Sequence, residues 1–391
     1  MLVELHILQN FAPANLNRDD TGMPKDCEFG GYRRARISSQ CFKRAVRQEF
    51  DAGLIEPQFL AVRTKRLVGE LVERLQAQGK DAQAAQDVVK SALGGVELTV
   101  NDDGKTQYLL FLGSQEISNL TDLCVAHWDQ LVSAAPDATP DQGGTTRRRA
   151  KKVGKDAVPK EVRDAADAIL DGGKAADLAL FGRMLADLPD KNTDAASQVA
   201  HAISTNRISM ELDYYTAVDD LKPEDTAGAD MIGAVGFNSG CFYRYSNVDM
   251  RQLTSNLQGD EELVRQTLEA FLRASVSAVP TGKQNSMAAH NPPSFVLAVV
   301  RKSSLWNLAN AFLKPVRPRE GQDLAACSVE ALDRYLGKLS AIYGDDSIVG
   351  AWAVSLEDDG VTHLKDSLVP TFDDLVCGVL AHAAPDAGNA G

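Results

Sequence analysis

MLVELHILQNFAPANLNRDDTGMPKDCEFGGYRRARISSQCFKRAVRQEF, residues 1–50, holds the strand, the loop and the helix from which the fold is read. Residues 2–9, LVELHILQ, mix alternation with β-branched side chains and predict a strand. From Phe11 to about Arg36 the breakers Pro13, Pro24 and Gly30-Gly31 predict a long loop. ISSQCFKRAVRQEF then predicts a helix. Ser38 or Ser39 can cap it, and Phe42, Ala45, Val46 and Phe50 form its apolar stripe.

Downstream, residues from about 57 to 182 carry amphipathic helical patterns broken by Gly- and Asp-rich turns. TQYLLFLG within them fits a short strand or a buried turn of helix, and GGTTRRRAKKVGK, Gly143 to Lys155, predicts an exposed basic loop. Residues 183–235 predict an extended arm with hairpin character, and NSGCFYRYSNVD, Asn238 to Asp249, a strand. EELVRQTLEAFLRASVSAV predicts a helix. SFVLAVVR and SIVGAWAVS predict apolar strands, with a short helix near 326–343 between them. This order suits an α+β fold, a ferredoxin-like (RRM-type) sheet with two insertions.

Composition sets the exclusions. Of 391 residues 44% are hydrophobic and 24% charged, as in soluble globular chains. The start has no basic segment followed by an apolar run, and no stretch has bilayer-spanning length, so a cytoplasmic protein with no membrane partner is expected. Cys27, Cys41, Cys124, Cys241, Cys327 and Cys377 form no CxxC pair, and the histidines form no ligand cluster; free thiols, no metal and no cofactor are expected. The net charge of −13 opposes nucleic acid as a partner unless the bases are gathered locally.

They are gathered between Phe29 and Gln48, where no acid occurs. The bases there are Arg33, Arg34, Arg36, Lys43, Arg44 and Arg47. Gln40, Lys43 and Arg47 share a helix face, and Ser38 and Ser39 stand at the helix start, where free N–H groups and the dipole favour an anion. Gly30-Gly31 lets backbone approach a ligand closely. Together these features make a phosphate-tracking surface, against the plainer reading of a solvated basic face.

LNRDD, KD and FGG-RR-RISSQ-KRA, read in order from Leu16, resemble the N-terminal signature of the CasC backbone subunits of type I-E CRISPR Cascade complexes, in the repeat-associated protein superfamily. LALFGRM (178–184), AHAIST (200–205), TAVDDL (216–221), FNSGCFYRY (237–245) and VPTGKQNSMAAHNP (279–292) resemble further family segments in the family's order. The resemblance implies a palm (1–56 and 236–382), a helical finger insertion (57–182), a β-hairpin thumb (183–235) and a disordered tail (383–391). It implies a non-catalytic subunit that polymerises along guide RNA and offers its bases to target DNA. Its other partners would be further copies of itself, other Cascade subunits, and a helicase-nuclease acting separately. It places Arg18, Lys25, Ser38, Gln40, Lys43 and Arg47 at the guide backbone and Met184 as a wedge against bases, where composition alone reads a core methionine. Lys283 and Gln284 are further candidates.

Three readings stay open. The run Arg147 to Lys152 is either a DNA contact or a solvated loop. Phe242, Tyr243 and Tyr245 suit either a base-stacking platform or the sheet core, with the tyrosines on one face. Asp19 and Asp20 could hold a divalent metal in a ribonuclease, or shape their loop through ion pairs with Arg18 and Lys25. A scaffold that packs only against proteins is the remaining alternative.

Overall fold

The computed structural model describes residues 1–101, 103–134, 157–185, 188–217, 231–357 and 360–383. In chain order the strands are β1 (Leu2–Ala14), β2 (Asp26–Phe29), β3 (Tyr32–Ile37), β4 (Ala61–Thr64), β5 (Leu110–Gly113), β6 (Ser197–Val199), β7 (Ala202–Ser204), β8 (Glu211–Ala217), β9 (Met231–Asp249), β10 (Phe295–Arg301) and β11 (Ile348–Ser355). The α-helices are α1 (Ser39–Glu49), α2 (Leu67–Ala77), α3 (Ala82–Gly95), α4 (Ser114–Ala126), α5 (Trp128–Ser133), α6 (Lys160–Ile169), α7 (Ala176–Phe181), α8 (Met250–Asn256), α9 (Glu261–Ser277), α10 (Gln284–Met287), α11 (Leu324–Tyr343) and α12 (Phe372–His382). No helix among the described residues is long and apolar enough to cross a membrane.

The chain divides into two compact units, one of residues 1–54, 197–251 and 268–391, the other of 55–196 and 252–267. The first is built on one antiparallel sheet in the order β11-β10-β1-β9-β7-β3-β2. Its central four strands run β10-β1-β9-β7, with α1 in the connection from β1 to β7 and α9 in that from β9 to β10. This is the ferredoxin-like arrangement the element order predicts. The long strand β9 pairs with β8 over Met231–Phe237 and with β1 beyond, so one strand belongs to both the hairpin arm and the sheet. The β1–β9 register shifts between Phe11 and Ala14, where Pro13 has no N–H to give the ladder.

β1 is buried along most of its length. One face of the sheet packs Leu8, Tyr243, Phe295 and Leu297 with Phe312, from the short turn Leu308–Phe312, and Val329, Leu332 and Leu336 of α11. The other packs Phe11, Ile37, Ala202 and Phe242 against Phe42 of α1. Tyr243 and Tyr245 thus share a face opposite Phe242, as alternation predicts. All three are buried, so no stacking platform exists there.

The expected loop from Phe11 to Arg36 is largely structured. β1 runs on to Ala14, and β2 and β3 form a hairpin closed by Gly30-Gly31, both at positive φ. Neither strand shows apolar alternation, because the hairpin is polar and lies at the sheet edge, and so periodicity could not find it. The helix expected near 326–343 is longer, Leu324–Tyr343, and TQYLLFLG yields the strand β5.

The second unit is mainly helical. Leu67, Leu71, Val88, Leu93, Ile117, Leu120, Val162 and Leu170 form its core beside the β4–β5 pair. It continues to residue 196 and takes in 252–267. The expected disordered tail lies outside the described residues from 384 onward.

A polar network is sealed into the α11 side of the sheet. Arg301 is ion-paired with Glu4, both buried, and Glu4 Oε1 accepts from the Trp306 N–H (2.6 Å) and the Tyr245 hydroxyl (2.9 Å). His6 Nδ1 lies 2.9 Å from the Tyr243 hydroxyl, which itself accepts the Leu308 N–H (2.9 Å). Burial, with Arg301 adding to it, pulls His6 from 6.5 to about 3, so the folded ring is neutral. Its contribution to stability is full above the unfolded pKa and is lost as pH falls from 6.5 towards 3. Urea unfolding at a series of pH values should give a wild-type stability that declines below pH 6.5 more steeply than that of His6→Gln. The difference expected from one proton is about 1.4 kcal/mol per pH unit.

Candidate nucleic-acid interface

The loop 15–25 is held by its own side chains. Buried Asn15 donates through Nδ2 to the carbonyls of Gly22 (3.0 Å) and Gly236 (2.9 Å). Asn17 Oδ1 accepts the Ser38 N–H (2.9 Å), tying the loop to the start of α1. Asp19 Oδ1 accepts from the Thr21 N–H (2.9 Å), the Thr21 hydroxyl (2.7 Å) and the Met23 N–H (3.0 Å). The Thr21 hydroxyl leads the interactions that hold this carboxyl below its usual range. Asp19 therefore shapes its loop through hydrogen bonds to Thr21 and Met23, not through ion pairs. No group of three or more His, Cys, Asp or Glu side chains that could hold a metal occurs among the described residues.

A second loop presses on the first. A Cβ at Gly282 would stand 2.4 Å from the Leu16 carbonyl oxygen and 2.7 Å from that of Asn15, so only glycine fits. Lys283 follows in the left-handed region, and Gln284 Nε2 donates back to the Pro280 carbonyl (3.0 Å). The Gln284 amide thus closes its own loop, while Lys283 stays half-buried at the turn.

α1 completes the site. Ser38 is its N-cap, buried, with Oγ accepting from the Cys41 N–H (3.4 Å). Phe42, Ala45 and Val46 face the core, Gln40 is exposed, and Lys43 and Arg47 are half-buried on the outward side. Between the two loops and the helix lies an open cleft of about 360 Å³ lined by Asn17, Arg18, Asp19, Arg44, Gln48 and Gly282. Arg18 is exposed at the cleft and Lys25 half-buried at the base of its loop. The helix stripe lining the cleft is that of Cys41, Arg44 and Gln48, one step round from the expected Gln40, Lys43 and Arg47.

The acid-free run divides by role. Arg34 is fully buried and donates to the carbonyls of Ser204 (2.9 Å), Thr205 (2.6 Å) and Phe312 (2.6 Å). Arg33 is ion-paired with Asp26, and Arg36 reaches the Asp26 carbonyl (3.1 Å) and His201 Nδ1 (3.0 Å). Gly30 packs on the chain itself, since a Cβ there would stand 2.2 Å from the Leu313 carbonyl oxygen, and so it does not serve a ligand. Of the six bases, Lys43, Arg44 and Arg47 are the ones on α1.

Beneath the helix lies a residue that the sequence did not flag. Arg244 of β9 stacks on the Phe42 ring, 4.0 Å from its centroid, and donates to Gln9 Oε1 (2.6 Å) and the Ser275 carbonyl (2.6 Å). Burial lowers it to about 9, which leaves it charged at neutral pH. The alternating aromatics around it in CFYRY were its one signal, since an arginine inside a buried strand needs a polar partner.

Met184 lies in the helical unit, apart from the other candidates, and is 81% exposed, so it is not a core methionine. Its neighbours are fixed. Arg183 is ion-paired with Glu116 (2.8 Å) with both side chains buried, and exchanges backbone hydrogen bonds with Thr193 (2.9 Å each way). Leu185 N–H donates to Asn192 Oδ1 (2.6 Å). The run Arg147 to Lys152 lies outside the described residues. Thermal and urea unfolding should show Met184→Ala close to wild type. Arg183→Met, which strands Glu116 as an unpaired buried charge, should cost about 3–5 kcal/mol. A Met184→Ala loss of that size would return the methionine to the core.

The CT1975-like protein family model matches residues 3–377. No curated protein matches. A chain of a solved structure titled "CRISPR RNA-guided surveillance complex, pre-nicking" is 32% identical, with a TM-score of 0.84 over 98% of this chain and 100% of that one. A chain from a "CRISPR RNA-guided surveillance complex" is 27% identical, with a TM-score of 0.72 over the same shares. With nearly its whole length matched in this way, the chain belongs to the CT1975-like family of CRISPR surveillance-complex subunits.

Proposed function

We propose that this chain is a non-catalytic backbone subunit of a type I-E CRISPR surveillance complex, and that it binds guide RNA by its phosphates and presents its bases to target DNA. The observation that carries the reading is the convergence of the Arg18 loop, the cationic side of α1 and the Gly282 loop on one open cleft. A guide's spacer varies in sequence, so a backbone subunit must hold phosphate and sugar and leave sequence to base pairing. Cations lining an open cleft suit that demand, and the burial of Tyr243 and Tyr245 removes the nearest base-reading alternative. The use of Asp19 inside its own loop supports a subunit that leaves cleavage to a separate helicase-nuclease.

Stacking of copies is supported by β8, which leaves Leu212, Tyr214 and Tyr215 exposed on an arm projecting from β9. Head-to-tail contact is heterologous and open-ended, so the guide's length is the natural stop. The purified protein should carry RNA, seen as a raised 260/280 absorbance ratio. Arg18→Ala with Arg44→Ala, the two cations that line the cleft, should weaken binding of two unrelated guides equally. It should also flatten the salt dependence of binding by roughly 0.7 units per lost phosphate contact. A loss confined to one guide, or an unchanged slope, would refute the phosphate assignment.

A further inference from the structure

The Gly30-Gly31 turn lies at the far end of β3 from the start of α1, about 17 Å away along six residues of strand. Three segments meet there, and the buried Arg34 guanidinium binds them together. It donates to Ser204 and Thr205 on one side and to Phe312 and Leu313 (3.3 Å) on the other. Backbone bonds from Val316 N–H to the Thr205 carbonyl (2.9 Å) and from Ile208 N–H to the Arg33 carbonyl (3.2 Å) complete the frame.

The outer surface of this frame is cationic in a chain whose net charge is −13. Arg207, Lys314 and Arg317 are exposed, and none has a side-chain hydrogen-bond or ion-pair partner among the described residues. Tyr32 and Leu313, on the segments of the same frame, are exposed as well. Of the acids on these segments, Asp26 is paired with Arg33 and Glu330 with Arg319 and Arg334, while Glu28 and Glu320 are exposed. Unpaired cations beside an exposed aromatic ring, on a frame fixed by a buried arginine, suit a single-stranded nucleic acid. Phosphates would take the charges, and a base would lie on the ring. An acidic protein segment would satisfy the charges but would leave Tyr32 without a specific role.

We propose that this surface is a second nucleic-acid backbone contact, separate from the cleft beside α1 and built from Arg207, Lys314 and Arg317 with Tyr32. It rests on the guide-binding reading for its setting. The phosphodiester has two possible sources, the guide itself or the strand that pairs with it. The test uses the assembled complex carrying Arg207→Gln, Lys314→Gln and Arg317→Gln. The probes are the guide RNA in one arm and a fluorescein-labelled DNA strand complementary to it in the other. The salt slope should fall by about two units for three lost single-strand phosphate contacts, and the arm in which it falls names the strand. Thermal unfolding should stay at the wild-type value. If the triple variant does not assemble, Lys314→Gln alone should lower the slope by about 0.7. Unchanged slopes in both arms overturn the proposal, and so does a fall in subunit count with both slopes unchanged, which would mark a protein contact. The cleft is scored independently by Arg18→Ala with Arg44→Ala. A lower slope for the surface variant beside an unchanged slope for the cleft variant would uphold this contact and sink the other.

Discussion

β1 is paired on both edges and covered on both faces, and the rest of the sheet unit is hung from that constraint. A strand with β9 on one side and β10 on the other can shift register only by breaking two ladders at once. Its even positions fix Glu4, His6 and Leu8 against the α11 side, and its odd positions face the side of α1. The strand also ends in the Asn15–Asp19 loop, so the ladder that fixes β1 fixes the first wall of the cleft. Gly282 then fixes the second wall by pressing on the Asn15 and Leu16 carbonyls.

The electrostatics are local. A chain with 54 acids and 41 bases has no general attraction for phosphate. Beside α1 the balance is reversed because Arg244 is buried beneath Phe42 with neutral oxygens as its partners, so its charge is not cancelled by a neighbouring carboxylate. A buried cation is screened less than a surface one, and it adds to the positive end of the helix. The run of Arg33, Arg34 and Arg36 looks equally basic on paper, yet it is spent on Asp26, on carbonyl groups and on His201.

The legible features were those with periodicity or a long ordered motif. β1, α1, β9, β10 and β11 and the helical insertion follow from apolar spacing, and the placement of Arg18 and α1 on one cleft follows from the N-terminal signature. The β2–β3 hairpin was illegible because its strands DCEF and YRRARI are polar on both faces at a sheet edge. Arg34 was misread because composition cannot tell a buried base from an exposed one, and four carbonyl groups brought together from residues far apart in sequence are invisible along the chain. Arg44 and Gln48 were missed for a narrower reason. A stripe chosen by i, i+3, i+7 spacing is defined only to within one step of helix rotation, and the cleft lies one step away. Met184 shows the opposite case, since its exposure contradicts the core position that composition reads.

Two buried ion pairs, Glu4–Arg301 and Glu116–Arg183, lie one in each unit. Neither is a strong source of stability, because desolvating two charges offsets most of their attraction. What each supplies is position. Glu4 also accepts the Trp306 N–H, which sets the course of the chain that leads to Leu313 and the Gly30 contact. Glu116 also accepts the Gly172 and Gly113 N–H groups, and Arg183 donates to the Leu170 and Lys191 carbonyls, so the loop that displays Met184 is referenced to three other segments. An apolar pair of equal volume could fill either space, but it could not choose which backbone groups meet there. In a protein whose surfaces must present loops at fixed places, that choice is the physical reason for burying charge.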